Sequence, residues 1–103
     1  MATPESLVKK AVKALLEKEG VWHFFPAANG FGRAGIPDII ACINGRFLAI
    51  ECKAGKGRTT ALQDREIKRI IDSGGVALVV YDDAHTIELL QRNITLMKAG
   101  LNE

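Results

Sequence analysis

Three ionisable residues stand in apolar sequence where core residues would be expected. Asp38 lies within Ile36-Pro37-Asp38-Ile39-Ile40, and Glu51 and Lys53 lie within Ala49-Ile50-Glu51-Cys52-Lys53. An unpaired charge is expensive in such a setting, so these residues need partners or a ligand. Asn44-Gly45 falls midway between Asp38 and Glu51, and this dipeptide is the strongest short signal for a two-residue β-hairpin. Folding there sets the two carboxylates side by side. Carboxylates so placed repel and raise a pKa unless a cation sits between them, and oxygen donors at that density suit Mg²⁺ or Mn²⁺. Lys53, two residues beyond Glu51, points to the same face and can orient a water or neutralise charge developing on a phosphate. The plainer use of the three residues is a salt-bridged strand end.

The elements that must position this triplet alternate in type along the chain. Thr3 caps a helix that starts at Pro4 and runs to about Glu19, with Val8, Val12, Leu15 and Leu16 on one arc and Gly20 as its stop. Glu5 shares that inward arc; Glu17 falls off it. Val21 to Phe25 reads as a short strand, and the loop from Pro26 to Gly35 follows, with three glycines that suggest mobility and a place over a site. Pro37–Ile43 and Arg46–Lys53 are the two hairpin strands. In the second, Leu48, Ile50 and Cys52 face one way, and Phe47, Ala49, Glu51 and Lys53 the other.

A basic turn, Ala54 to Arg58, leads through Thr59 or Thr60 as cap into a helix from about Ala61 to Ser73. Its expected buried stripe is Ile67, Ile70 and Ile71, with Gln63 one turn earlier. Val76 to Tyr81 is wholly apolar, which predicts a central, buried strand. Thr86 to about Lys98 closes the chain as a helix with Ile87, Leu90, Ile94 and Met97 inward. The predicted order is αβββαβα, an α/β fold with a mixed sheet flanked by helices.

The composition sets limits on function. The chain's 103 residues suit one domain, and 48% hydrophobic with 25% charged residues is ordinary for a globular protein, excluding disordered and collagen-like classes. Apolar runs fall far short of the roughly 20 residues a membrane helix needs. Glu5, Lys9 and Lys10 occupy a start with no apolar signal-like stretch, so the expectation is a cytoplasmic protein without membrane contact. A net charge of +2 permits nucleic-acid binding without arguing for it. Cys42 and Cys52 sit singly in apolar runs and are expected to be buried, reduced thiols.

Pro37-Asp38, twelve intervening residues and then Glu51-Cys52-Lys53 resemble the signature of the PD-(D/E)XK nuclease superfamily. The order of elements resembles its restriction-endonuclease-like αβββαβ core, here with a C-terminal helix added. With Glu5 in the first helix, Gly35-Ile36-Pro37-Asp38 after a glycine-rich loop and Gln63 opening the next helix, the whole chain resembles a stand-alone VRR-NUC (virus-type replication-repair nuclease) domain. Archaeal Holliday junction resolvases look similar over the same span. The resemblance implies Asp38 and Glu51 as metal ligands, with the Cys52 backbone carbonyl as a third. It implies Lys53 as the catalytic lysine, and Glu5 and Gln63 as further active-site residues.

Arg33, Lys56 and Arg58 flank the site on glycine-bearing loops and could hold phosphates. Lys9, Lys10, Lys13, Lys68 and Arg69 read as solvated helix faces, and His23 and His85 receive no role. The function implied is an Mg²⁺- or Mn²⁺-dependent, structure-selective DNA endonuclease, bacterial or phage-encoded, resolving four-way junctions as a homodimer. Leu89, Leu96 and Leu101, off the last helix's inward stripe, provide apolar surface for that dimer. The alternatives are a general nuclease acting on flaps or ends and a non-catalytic nucleic-acid-binding module.

Overall fold

The computed structural model describes residues 3–27 and 33–101, in the order α1 (Pro4–Lys18), β1 (Trp22–Phe24), β2 (Ile39–Ile43), β3 (Arg46–Cys52), α2 (Ala61–Asp72), β4 (Val76–Val80) and α3 (Ala84–Lys98). This is the expected αβββαβα arrangement. Residues 28–32 of the glycine-rich loop lie outside the described part. The sheet order is β1-β2-β3-β4, with the first two pairings antiparallel and β3–β4 parallel.

The β2–β3 hairpin organises the sheet. Asn44 and Gly45 both have positive φ, 53° and 79°, as a turn matched to strand twist demands. The register that follows pairs Ile43 with Arg46 and Ile39 with Ile50. One residue further on, Asp38 therefore comes opposite Glu51.

Strand periodicity then sorts the layers. Ile39, Ala41 and Ile43 of β2 and Leu48, Ile50 and Cys52 of β3 are buried in one cluster with Val8, Val12 and Leu16 of α1 and Leu90, Ile94 and Met97 of α3. Each fully buried aliphatic side chain there contributes about 1.5–3 kcal/mol. α2 lies on the opposite face, where Phe47 and Ile70 line a common cleft. It leaves the β1 end of that face open, where Trp22 and Phe24 stay exposed.

Several expectations need correction. β4 is an edge strand, paired with β3 alone, and not a central one. Its apolar run reflects helices on both its faces, α2 and α3, and a layer above and below says nothing of lateral position. Cys42 is exposed and only Cys52 is buried, because Cys42 sits opposite Trp22 on the sheet face that no helix covers.

Ile71 is exposed, and the inward row of α2 is Gln63, Glu66, Ile67 and Ile70, at the spacing i, i+3, i+4, i+7. α3 starts at Ala84, two residues before Thr86, because Asp83 caps it by accepting from the Thr86 N–H at 2.7 Å. Thr3 caps α1 as expected, accepting from Ser6 N–H at 3.1 Å, and of the two candidates Thr59 and Thr60 it is Thr60 that caps α2, accepting from Gln63 N–H at 3.2 Å.

The chain enters β2 past a close contact. Gly35 has φ of +83°, and a Cβ there would lie 2.5 Å from the Leu62 carbonyl oxygen, so only glycine lets this segment run against the start of α2. Gly45 shares the positive φ but has open space around it. Gly35→Ala should therefore cost clearly more than Gly45→Ala, whose penalty is backbone strain of about 1–3 kcal/mol. Urea denaturation of the two variants checks this ordering; equal losses would mean that the Leu62 contact relaxes freely.

Candidate active site

The hairpin register places Asp38 and Glu51 together, and the Asp38 carboxylate accepts a hydrogen bond from the Cys52 N–H at 2.8 Å. That bond ties the residue before β2 to the end of β3. Glu51 is 2% exposed, and its Oε2 is buried without a hydrogen-bond partner among the described residues. A native structure seldom leaves such an atom unsatisfied without a reason.

Electrostatics divides the two acids. Burial, then the hydrogen bond and charge of Asp38, push the Glu51 carboxyl up to about 8; Lys53 pulls it down without compensating, and Glu5 adds to the rise. Burial also raises Asp38, but its hydrogen bonds with Glu51 and the Cys52 N–H, together with the Lys9 charge, outweigh that and hold it below its ordinary value. The pair is therefore one proton held between two carboxylates, with the negative charge resting on Asp38.

Two residues of α1 reach this end of the sheet. The Lys53 ammonium lies 3.9 Å from Glu5, and the Lys9 ammonium lies 3.4 Å from Asp38. Lys9, expected on a solvated face, is thus part of the site. The available signal was its spacing: Lys9 follows Glu5 by four residues and shares its face. Lys13 and Lys68 keep to solvated faces, paired with Glu17 at 3.9 Å and Asp72 at 2.6 Å.

Gln63 is engaged locally, its side-chain oxygen accepting from the Thr60 N–H at 2.9 Å in a capping box. Arg33 donates to Glu66 at 2.8 Å, in the cleft that Phe47 and Gly75 also line, four residues along β3 from Glu51. Glu66, the buried residue of α2 that receives it, was not singled out from sequence, although it follows Gln63 by three residues on the inward row. Lys56 and Arg58 are exposed on the turn just beyond Lys53. His23 turns its Nδ1–H to the Val21 carbonyl at 2.8 Å, a structural arrangement.

The donor set fits a hard divalent cation. Mg²⁺ is commonly held by one or two carboxylates with water completing its shell, and a cation here would relieve the Asp38–Glu51 repulsion and satisfy Glu51 Oε2. No group of three or more His, Cys, Asp or Glu side chains among the described residues is poised to cage a metal. Burial, followed by the neighbouring acids Asp38 and Glu51, pushes the Cys52 thiol up to about 12, so its buried sulfur stays a neutral thiol.

With this geometry, the sequence profile of the archaeal Holliday junction resolvase (hjc) family matches residues 7–90. The chain belongs to that family. Its members are nucleases of the PD-(D/E)XK type, which agrees with the Asp38, Glu51 and Lys53 arrangement. The match spans the candidate residues from Arg33 to Gln63, whereas Glu5 lies before it. No match is found among curated proteins. The archaeal family gives no support to a bacterial or phage origin, and membership does not distinguish a VRR-NUC domain. No helix among the described residues is long and apolar enough to cross a membrane.

The acid pair makes stability pH-dependent in a definite direction. Glu51 is protonated in the fold up to about pH 8 but in the unfolded chain only near its ordinary 4.5. Its contribution is whole below the ordinary value and is lost as pH rises through the folded one. Asp38 acts oppositely, its contribution present above its ordinary 3.8 and lost in stronger acid. In a chelator, the urea midpoint should fall between pH 4.5 and pH 8, and Glu51→Gln should flatten that fall. A wild-type midpoint that stays level across this window would contradict the shared-proton arrangement.

Proposed function

We propose that this protein is a divalent-metal-dependent endonuclease that cuts branched DNA, resolving four-way junctions as a homodimer. The observation that carries the reading is the buried Glu51, with an unpartnered carboxylate oxygen, beside the half-buried Asp38 and on the strand end that also presents Lys53. Asp38, Glu51 and the Cys52 carbonyl would hold Mg²⁺ or Mn²⁺. A cation there would polarise a phosphate oxygen and lower the pKa of an attacking water. Lys53, with its side chain only 13% exposed, orients that water or neutralises the charge that grows on the phosphate. Glu5 holds the lysine ammonium from the helix side and so limits where it can point. Lys56 and Arg58 grip the neighbouring backbone.

Gly35-Ile36-Pro37-Asp38 and the helix acid Glu5 support a kinship with VRR-NUC nucleases in particular. We read the chain as a single nuclease domain working in the cytoplasm.

Asp38→Ala and Glu51→Ala should each abolish cleavage in Mg²⁺ or Mn²⁺ while leaving a folded protein that binds DNA. Glu51→Ala also removes a buried carboxyl with an unpartnered oxygen, which protects the fold. Lys53→Met keeps the aliphatic stem, so metal binding by calorimetry should persist while turnover falls by about two orders of magnitude. Cleavage by either carboxylate variant within a few-fold of wild type would sink the assignment of the site.

Symmetric resolution of a junction needs two sites related by a twofold axis. Leu89 and Leu101 are exposed and Leu96 is half-buried, and Trp22 and Phe24 add an uncovered sheet face, so apolar surface is available for pairing. Sedimentation at micromolar concentration should give a mass near twice 11.2 kDa, and four-way junctions should receive paired, symmetric incisions. A stable monomer preferring flaps or linear ends would favour a general structure-specific nuclease instead.

A further inference from the structure

The turn that carries Lys56 and Arg58 is held by the opposite strand end. Its own closure is a single bond, the Gly57 N–H donating to the Ala54 carbonyl at 3.0 Å, with Gly55 at φ +56°. Two further bonds come from the segment after β4. The Tyr81 hydroxyl donates to the Gly57 carbonyl at 2.8 Å, and the Asp82 carboxylate accepts from the Gly55 N–H at 3.4 Å.

Tyr81 is itself fixed, because its N–H donates to Thr86 Oγ1 at 2.9 Å, within the cap of α3. On the other side, Gly57 lies beside the Lys53 stem: a Cβ on it would meet the Ala54 carbonyl oxygen at 3.1 Å and Lys53 Cδ at 3.8 Å. The Lys53 N–H meanwhile donates to the Val80 carbonyl at 3.0 Å, which sets Lys53 and Tyr81 at the same level of the sheet.

We propose that Tyr81 is a positioning residue for the nuclease site: through Gly57 it holds the basic turn against Lys53, so that Lys56, Arg58 and the reactive lysine address one stretch of phosphate backbone. The inference rests on the nuclease reading above. Free, the two exposed side chains would lose rotamer and loop freedom on each encounter with DNA; a tethered turn has lost part of it beforehand.

Tyr81→Phe removes the hydroxyl and keeps the ring, so it is the test variant. Its fold should be intact, with a melting temperature within a few degrees of wild type. Amide exchange at residues 55–57 should quicken even without DNA. On a four-way junction, kcat/KM should fall by about tenfold, the scale of one hydrogen bond. The slope of log binding constant against log salt should become shallower by up to about 2, for the two phosphate contacts. In a Lys56→Gln, Arg58→Gln background, adding Tyr81→Phe should leave the salt slope unchanged, because the hydroxyl acts on that slope through the turn.

Wild-type exchange, salt slope and kcat/KM in Tyr81→Phe would overturn this inference alone, as would an equal further loss of slope in the background lacking both cations. A wild-type protein that neither binds nor cuts branched DNA would overturn the nuclease reading and this inference with it.

Discussion

Everything near the site depends on two carboxylates being forced together at the open end of a hairpin. Asp38 and Glu51 are adjacent because Asn44 and Gly45 close a two-residue turn and the ladder between them runs without a bulge. A slip of one residue would carry Glu51 into the apolar cluster and bring Ile50 out of it, so core packing and site geometry defend the same register. The bond from the Cys52 N–H to Asp38 then locks the last step, where regular pairing has ended.

That constraint explains features otherwise unrelated. α1 packs Val8, Val12 and Leu16 into the core, and the continuation of its inward side toward the N-terminus delivers Glu5 and Lys9 to the acids. Positive charge from Lys9 on Asp38 and from Lys53 on Glu51 offsets part of the cost of the acids, and Glu5 lies 3.9 Å from the Lys53 ammonium. The approach to Asp38 is set by a backbone contact that leaves no room for a side chain at Gly35, and farther back by Arg33 on the buried Glu66. A cluster with an unpartnered carboxylate oxygen is costly to maintain, so packing alone gives no account of it.

Much of this was legible in the sequence because it rests on local periodicity and turn chemistry. The hairpin, its register, the two faces of β3, the caps at Thr3 and Thr60 and the triplet Asp38, Glu51 and Lys53 follow from residue types at fixed spacings, for which near neighbours suffice. The alternation of elements likewise defined the αβββαβα order.

Tertiary structure decided what depends on which surface lies opposite. β4 is as apolar as a central strand because helices cover both its faces, and only the assembled sheet shows that it stands at an edge. Cys42 and Ile71 lie exposed because no layer was placed over them, a fact absent from their own neighbourhoods. Lys9 became part of the site through the angle at which α1 meets the sheet, whereas Gln63 is a helix cap through the local Thr60–Gln63 spacing. Tyr81 meets Gly57 across 24 residues of chain, a contact made only when β3 and β4 pair in parallel. Spacing along the chain determines which side chains share a face; burial and long-range partners depend on how the faces are stacked.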